Sequence, residues 1–170
     1  MKNEFLSQGF IKLKNLIRSK DVKEIKVSYD ALLADHIRTA HLRSDLGGSG
    51  KLGEEKITQL MRPSSLLPEL KSSEAYQKAT FQAQFLLGED MVLDFDMLIN
   101  KMPHTNTPTP WHQDAAYWID LPDKRAVSCW IALDKAIEEN GCMWFVPRKD
   151  ENIRPHKFIT EGGALSCEAP

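Results

Sequence analysis

The sequence predicts an α+β chain, helices first and an antiparallel sheet after them, and three observations carry that prediction. Apolar residues recur at helical spacing twice in the first half, a two-residue alternation replaces that period from Met91 onward, and Asn140-Gly141 separates two alternating runs. Helices and strands segregated along one chain make an α+β domain, most simply a jelly-roll sheet with helices packed outside it.

Asp21 is placed to cap a helix with Glu24 three residues later, and Ile25, Leu32, Leu33 and Ile37 follow at helical spacing, so this helix is expected to run to about Thr39. Four glycines among residues 44–53 remove the side chains that would hold a conformation, and a mobile loop is expected there. A second helix is expected from Ser72 or Ser73 to near Gly88, with Tyr76, Ala79, Ala83 and Leu86 or Leu87 on one stripe and glycine as its left-handed stop. In residues 91–100, Met91, Leu93, Phe95, Met97 and Ile99 alternate with Val92, Asp94, Asp96, Leu98 and Asn100, the period of a strand. Residues 126–134 alternate likewise, with Val127, Cys129, Ile131 and Leu133 on one face and Ser128, Trp130 and Ala132 on the other. Small residues beside a single Trp leave a hollow against a flat wall, a shape suited to a ligand pocket. The Asn140-Gly141 turn predicts that this strand pairs with residues 142–146.

The 170 residues are 42% hydrophobic and 27% charged, which suits one domain, residues 1–170, able to bury a core. Lys plus Arg number 22 against 24 Asp plus Glu, a net charge of -2, so no cationic surplus is present to track nucleic acid or an anionic membrane. The apolar runs are only a few residues long, short of the ~20 that span a bilayer. The opening residues carry an acid, a Gln and a Gly where a signal peptide needs an apolar stretch. Cys129, Cys142 and Cys167 are an odd number without a Cys-x-x-Cys pair, and they read as reduced thiols of a cytoplasmic protein.

Chemistry is concentrated in Thr107-Pro108-Thr109-Pro110-Trp111-His112-Gln113-Asp114. In an extended chain His112 and Asp114 project to one face and Gln113 to the other. An imidazole and a carboxylate suit a divalent first-row metal, and with one further His they form the facial triad that leaves positions open on non-haem Fe(II). The triplet alone is a weak signal, because a surface His beside a solvated Asp is its commoner meaning.

Four blocks in order make the reading specific. Residues 96–101, Pro110-Trp111-His112-Gln113-Asp114-Ala115-Ala116-Tyr117-Trp118, residues 127–134 and residues 139–147 together resemble the phytanoyl-CoA dioxygenase family, and Gly9-Phe10-Ile11-Lys12-Leu13 resembles its opening strand. The resemblance implies a double-stranded β-helix of the cupin-like jelly-roll kind and an oxygenase using Fe(II), 2-oxoglutarate and O2. It implies that His112 and Asp114 bind iron, that Met97, Trp130 and the His112-Gln113-Asp114 strand border 2-oxoglutarate, and that Lys56 is the match for a lysine that contacts it. The second iron-binding His and the Arg that pairs with the far carboxylate of 2-oxoglutarate fall, in the family, beyond the region matching residues 164–170. The domain is therefore expected to be incomplete at its C-terminal end.

His156 matches a loop position of the family, and His104, His36 and His41 read as loop, surface or packing residues. Trp118, Trp144 and Phe145 read as core or pocket wall, and the cluster Lys12, Lys14, Arg18 and Lys20 as a solvated face. Asp114 favours hydroxylation over halogenation, since halogenating relatives carry a small residue in place of the carboxylate. The expected activity is hydroxylation of an unactivated carbon of a small organic or acyl substrate. The alternative is a non-catalytic remnant or binding domain of the same fold, and a zinc hydrolase stands further off because no base is evident.

Overall fold

In the computed structural model, residues 1–48, 51–118, 122–160 and 163–168 are described. The chain is mixed helix and antiparallel sheet. Its elements run α1 (Lys2–Gln8), α2 (Ser19–Ala34), α3 (His36–Thr39), β1 (Arg43–Asp45), β2 (Ile57–Met61), α4 (Pro63–Leu66), α5 (Glu74–Leu87), β3 (Met97–Lys101), β4 (Lys157–Phe158) and β5 (Leu165–Ser166).

The core lies between α2, α5 and the three-stranded sheet β1-β2-β3. Ile25, Tyr29 and Leu32 of α2 meet Ala75 of α5, Leu60 of β2, Leu98 of β3 and Leu70, all buried. The sheet is antiparallel, with Leu60 opposite Leu98 and Met61 opposite Met97. Leu60 and Leu98 therefore share the inward face, and Met97 and Ile99 are turned outward, 42% and 38% exposed.

Helix α2 departs from the expected limits at both ends. Asp21 lies inside the first turn, where its carboxylate accepts from Arg18 Nε at 2.8 Å, so it anchors the helix start without capping it. Arg18 also reaches Glu74 at 2.5 Å and so ties the starts of α2 and α5. The helix stops at Asp35, whose side chain accepts the Arg38 N–H at 3.0 Å and restarts the chain as α3; Ile37, expected on the buried stripe, is 91% exposed. Helix α5 keeps the expected start, with Ser73 Oγ accepting the Tyr76 N–H. Its stop is glycine, but Gly88 sits at φ 138, ψ 150 and is not left-handed helical. A Cβ there would come within 2.7 Å of Arg125 Nη1 and of Asp90 Oδ1.

The expected strand over residues 91–100 is confined to Met97–Lys101. Its partner β2 ends at Met61, and Arg62 then turns left-handed into Pro63 of α4, so residues 91–96 have no strand beside them. The expected loop at 44–53 begins two residues late, since β1 takes Arg43–Asp45; Asp45 then accepts from the N–H groups of Gly47 and Ile57 at 2.7 and 2.9 Å, closing the turn. Ser49 and Gly50 of that loop lie outside the described residues, as do Ala169 and Pro170.

The predicted pairing of residues 126–134 with 142–146 is not formed. Asn140-Gly141 does turn the chain, as a 3₁₀ turn over Glu138–Asn140 closed by Gly141 at φ 87, with Asn140 Oδ1 accepting the Ile137 N–H. The following residues instead meet the N-terminal segment. Phe145 stacks on Phe10 with ring centroids 4.9 Å apart, and the Arg148 N–H donates to the Gln8 carbonyl. Residues 9–13 are likewise not a strand. Among the described residues the sheets are the three-stranded one and the β4-β5 hairpin, and a two-layer jelly roll is not assembled.

A buried ion pair closes the core at β1. Arg43 and Glu55, with side chains 4% and 6% exposed, meet at 2.7 Å, and Arg43 also donates to the Leu33 carbonyl. Burial pushes the Glu55 carboxyl up, but Arg43 and backbone donors outweigh it and hold the group below the ordinary carboxylate range. A carboxyl depressed in the folded state contributes stability above its unfolded value, near 4.5, that disappears as pH falls through the folded value. Glu55→Gln should lower unfolding free energy by about 3 kcal/mol at neutral pH, since it leaves Arg43 buried without its anion. The difference from wild type should shrink below pH 4.5, which urea melts across pH would record.

Candidate functional site

Pro108 and Pro110 deny the helical region to the residues before them and keep the approach to the motif extended. Gln113 continues the extended backbone at φ -113, ψ 126, and Asp114 opens a 3₁₀ turn over Asp114–Ala116. Within this short run His112 and Asp114 are brought together. His112 Nδ1 meets the Pro110 carbonyl at 2.8 Å; a carbonyl only accepts, so Nδ1 carries the proton and the neutral ring presents a free lone pair at Nε2. Nε2 lies 3.5 Å from Asp114 Oδ1. The other oxygen, Oδ2, accepts from Ser128 Oγ at 2.5 Å. Tyr117 presents its ring edge-on to the imidazole, centroids 5.7 Å apart.

These contacts set the charges. When the imidazole is protonated at both nitrogens its Nε2–H faces Asp114, and that contact, opposed by burial and aided by Ser128, holds the Asp114 carboxyl below its ordinary value. Asp114 in turn raises the imidazole, against burial and with help from the Pro110 carbonyl. Asp114 is therefore a carboxylate at neutral pH.

Gln113 faces the other way and clamps a second segment. Its backbone N–H donates to His156 Nε2 at 3.0 Å, its side-chain Oε1 accepts the Arg154 N–H at 2.7 Å, and its Nε2 donates to the Asn152 carbonyl at 3.1 Å. The β4-β5 hairpin continues this contact, with the Cys167 N–H on the Trp111 carbonyl and the Leu165 N–H on the Tyr117 hydroxyl. The motif is thus held from both sides by side-chain and backbone bonds rather than by a regular ladder.

The family model described as phytanoyl-CoA dioxygenase (PhyH) matches residues 5–157. The chain belongs to the phytanoyl-CoA dioxygenase family. It is 23% identical over 164 residues to "Phytanoyl-CoA dioxygenase, peroxisomal" of Rattus norvegicus, a match covering 91% of this chain and 48% of the relative. To the protein of the same name from Homo sapiens it is 25% identical over 174 residues, again 91% of this chain and 48% of the relative. A shorter match, 45% identical over 51 residues, reaches "Phytanoyl-CoA dioxygenase domain-containing protein 1" of Bos taurus and covers 30% of this chain and 18% of that protein. The chain thus spans about half the length of the peroxisomal relatives. No solved structure matches it.

The other residues expected in a phytanoyl-CoA dioxygenase site are distributed as follows. Met97 is on the outward face of β3, with its sulfur accepting from Gln59 Nε2 at 3.4 Å. Trp130 is 50% exposed. Ile131 and Leu133 pack against the core, whereas Ser128 and Trp130 are exposed, and Ser128 touches Asp114. Lys56 is exposed just ahead of β2, where its carbonyl accepts the Met102 N–H. Both nitrogens of His156 are engaged, Nε2 by Gln113 and Nδ1 by the Arg154 carbonyl at 2.6 Å. Among the described residues no three of His, Cys, Asp and Glu converge on one point. A cleft of about 330 Å³ lined by Asp30, His36, Arg43, Glu55, Asn100 and Met102 contains none of the motif residues.

Ser128 and Tyr117 were not singled out as site residues from the sequence. The signal for Ser128 was present, since it lies on the small-residue face that also carries Trp130. Nothing in the sequence indicates that the Tyr117 hydroxyl would accept from β5.

Gln113→Ala removes two side-chain hydrogen bonds to the 152–154 segment, each worth about 0.5–1.5 kcal/mol. Hydrogen exchange should quicken at residues 111–114 and 152–156 and stay unchanged in α2 and α5. Uniform exchange across all four segments would contradict the clamp.

Proposed function

We propose that this chain carries two of the three protein ligands of an Fe(II) site, and that the protein it represents is a 2-oxoglutarate-dependent oxygenase hydroxylating an unactivated carbon of a small organic or acyl substrate. The observation that carries the reading is the approach of His112 Nε2 to Asp114 Oδ1, 3.5 Å apart with the remaining atoms of both groups engaged elsewhere. That separation is near the ~3 Å edge expected of two donors at ~2.1 Å on one ion. A ring nitrogen and a carboxylate oxygen also suit iron chemically. The donor pair fits two corners of a facial triad, and the third donor would lie outside the described residues.

Bound there, Fe(II) would supply the oxidation that couples conversion of 2-oxoglutarate and O2 to succinate and CO2 with insertion of the other oxygen atom into a C–H bond. The residues of the chain have binding and positioning parts in this reading. The Pro110 carbonyl keeps the His112 tautomer that offers Nε2. Met97 and Trp130 supply apolar walls that seat 2-oxoglutarate and exclude water, and the Lys56 ammonium attracts its charge. The backbone of the His112-Gln113-Asp114 strand borders the same space. The full double-stranded β-helix belongs to the proposal as the frame that would hold the third ligand and the pairing Arg. A reducing, cytoplasmic setting is also proposed, supported by three free thiols.

A second reading, a binding domain of the same fold that does not retain iron, is favoured by one observation: only two donors converge among the described residues. Anaerobic titration with Fe(II) and 2-oxoglutarate separates the two. The 170-residue chain should bind iron weakly, with a faint metal-to-ligand charge-transfer band and no succinate release in air. Asp114→Ala should abolish even that band. In a protein extended over the length of the peroxisomal relatives, His112→Ala or Asp114→Ala should eliminate turnover with the fold intact, and full activity of either variant would sink the assignment.

A further inference from the structure

We propose that Ser128 is a positioning residue whose hydroxyl makes Asp114 a one-oxygen ligand, and this rests on the reading of His112 and Asp114 as metal ligands. An ionised carboxylate only accepts, so the Ser128 hydroxyl is the donor in the 2.5 Å contact, which lies in the short range of charge-assisted O–H···O bonds. With Oδ2 held in this way, the carboxylate cannot swing to present both oxygens to one ion, and Oδ1 is the atom left beside His112 Nε2.

The bond is a product of the fold and not of local sequence. Ser128 is fourteen residues from Asp114, on a separate segment. Ile131 and Leu133 of that segment pack, partly buried, against the helix-backed core, and Ser128 lies exposed on the same segment beside the motif. Packing at Ile131 and Leu133 thus anchors the segment that delivers the hydroxyl to Oδ2.

The consequence concerns coordination number. An octahedral ion has few positions to spare, and a carboxylate chelating through two oxygens takes one that a one-oxygen ligand leaves open for co-substrate, O2 or water. A hydroxyl hydrogen-bonded to the non-ligating oxygen is the kind of outer contact that fixes how a ligand binds.

The probe is Mn(II) on the 170-residue chain, with binding followed by the electron paramagnetic resonance of the free ion and coordinated water by solvent proton relaxation. Two protein donors leave four waters, so a chelating Asp114 in Ser128→Ala should lower the relaxivity per bound ion by about a quarter. Ser128→Thr keeps the hydroxyl and should retain the wild-type value, while the melting temperature of both variants should stay near wild type. Loss of Mn(II) binding in Ser128→Ala with retention in Ser128→Thr supports the same role. Wild-type affinity and relaxivity in Ser128→Ala overturn it, as does equal loss in both variants. Asp114→Ala is the control: if it leaves Mn(II) binding unchanged, the metal reading itself falls and this inference with it. If Asp114→Ala loses binding and Ser128→Ala behaves as wild type, only the role of Ser128 falls.

Discussion

The carboxylate of Asp96 ties the helical layer to the sheet. Its Oδ1 accepts the Ser64 hydroxyl at 2.9 Å and its Oδ2 the Ser64 N–H at 3.0 Å, so it holds the first turn of α4. The Tyr76 hydroxyl of α5 donates to Oδ2, and the Tyr29 hydroxyl of α2 then donates to Tyr76 at 2.8 Å. Burial and the adjacent carboxylate both raise Tyr76, so it stays a protonated donor. Three helices thus converge on the residue that immediately precedes β3. Because side chains alternate along a strand, fixing that residue decides that Leu98 enters the core and Met97 faces out. A slip of one residue would exchange the two and remove Met97 from the outward face.

The motif is held by a different class of interaction. Strand β3 is secured by a ladder of five residue pairs with β2, whereas the Trp111-to-Asp114 run is secured by Ser128, Asn152, Arg154, His156 and Cys167. Single hydrogen bonds of this kind contribute about 1 kcal/mol each, and they lack the cooperativity of a packed sheet. The candidate ligands accordingly rest on a softer support than the core, and His112 remains partly covered by the edge-on Tyr117 ring. Belonging to the phytanoyl-CoA dioxygenase family accounts for the motif and the order of the blocks. The local bonds are properties of this chain.

Legibility in the sequence followed the range of the interactions involved. Helix α5 was readable because its start and stop are local: Ser73 bonds a backbone N–H three residues on, and Gly88 ends the run. The end of α2 was misread because Ile37 keeps the helical period, while the Asp35 side chain bonds the Arg38 N–H and breaks the axis. Residues 91–96 alternate like a strand, but a strand needs a neighbour, and β2 ends opposite Met97. The alternation of residues 126–134 held in part as to faces, since Ile131 and Leu133 pack against the core while Cys129 of the same face is exposed, and failed as to pairing with residues 142–146. In that case side-chain period and backbone pairing are separate facts, and only the first is written in the residue pattern.

The residue pattern was enough for the α+β class, the helix from Ser73 to Gly88, and the shared direction of His112 and Asp114 across Gln113. Each of these follows from a repeat of two or of 3.6 residues, or from a cap a few residues away. Tertiary structure alone decided that Ser128 meets Asp114, that Gln113 clamps residues 152–156, and that Phe145 lies on Phe10. Those contacts join segments from fourteen to more than a hundred residues apart, and each depends on how several elements pack at once. No local period encodes that.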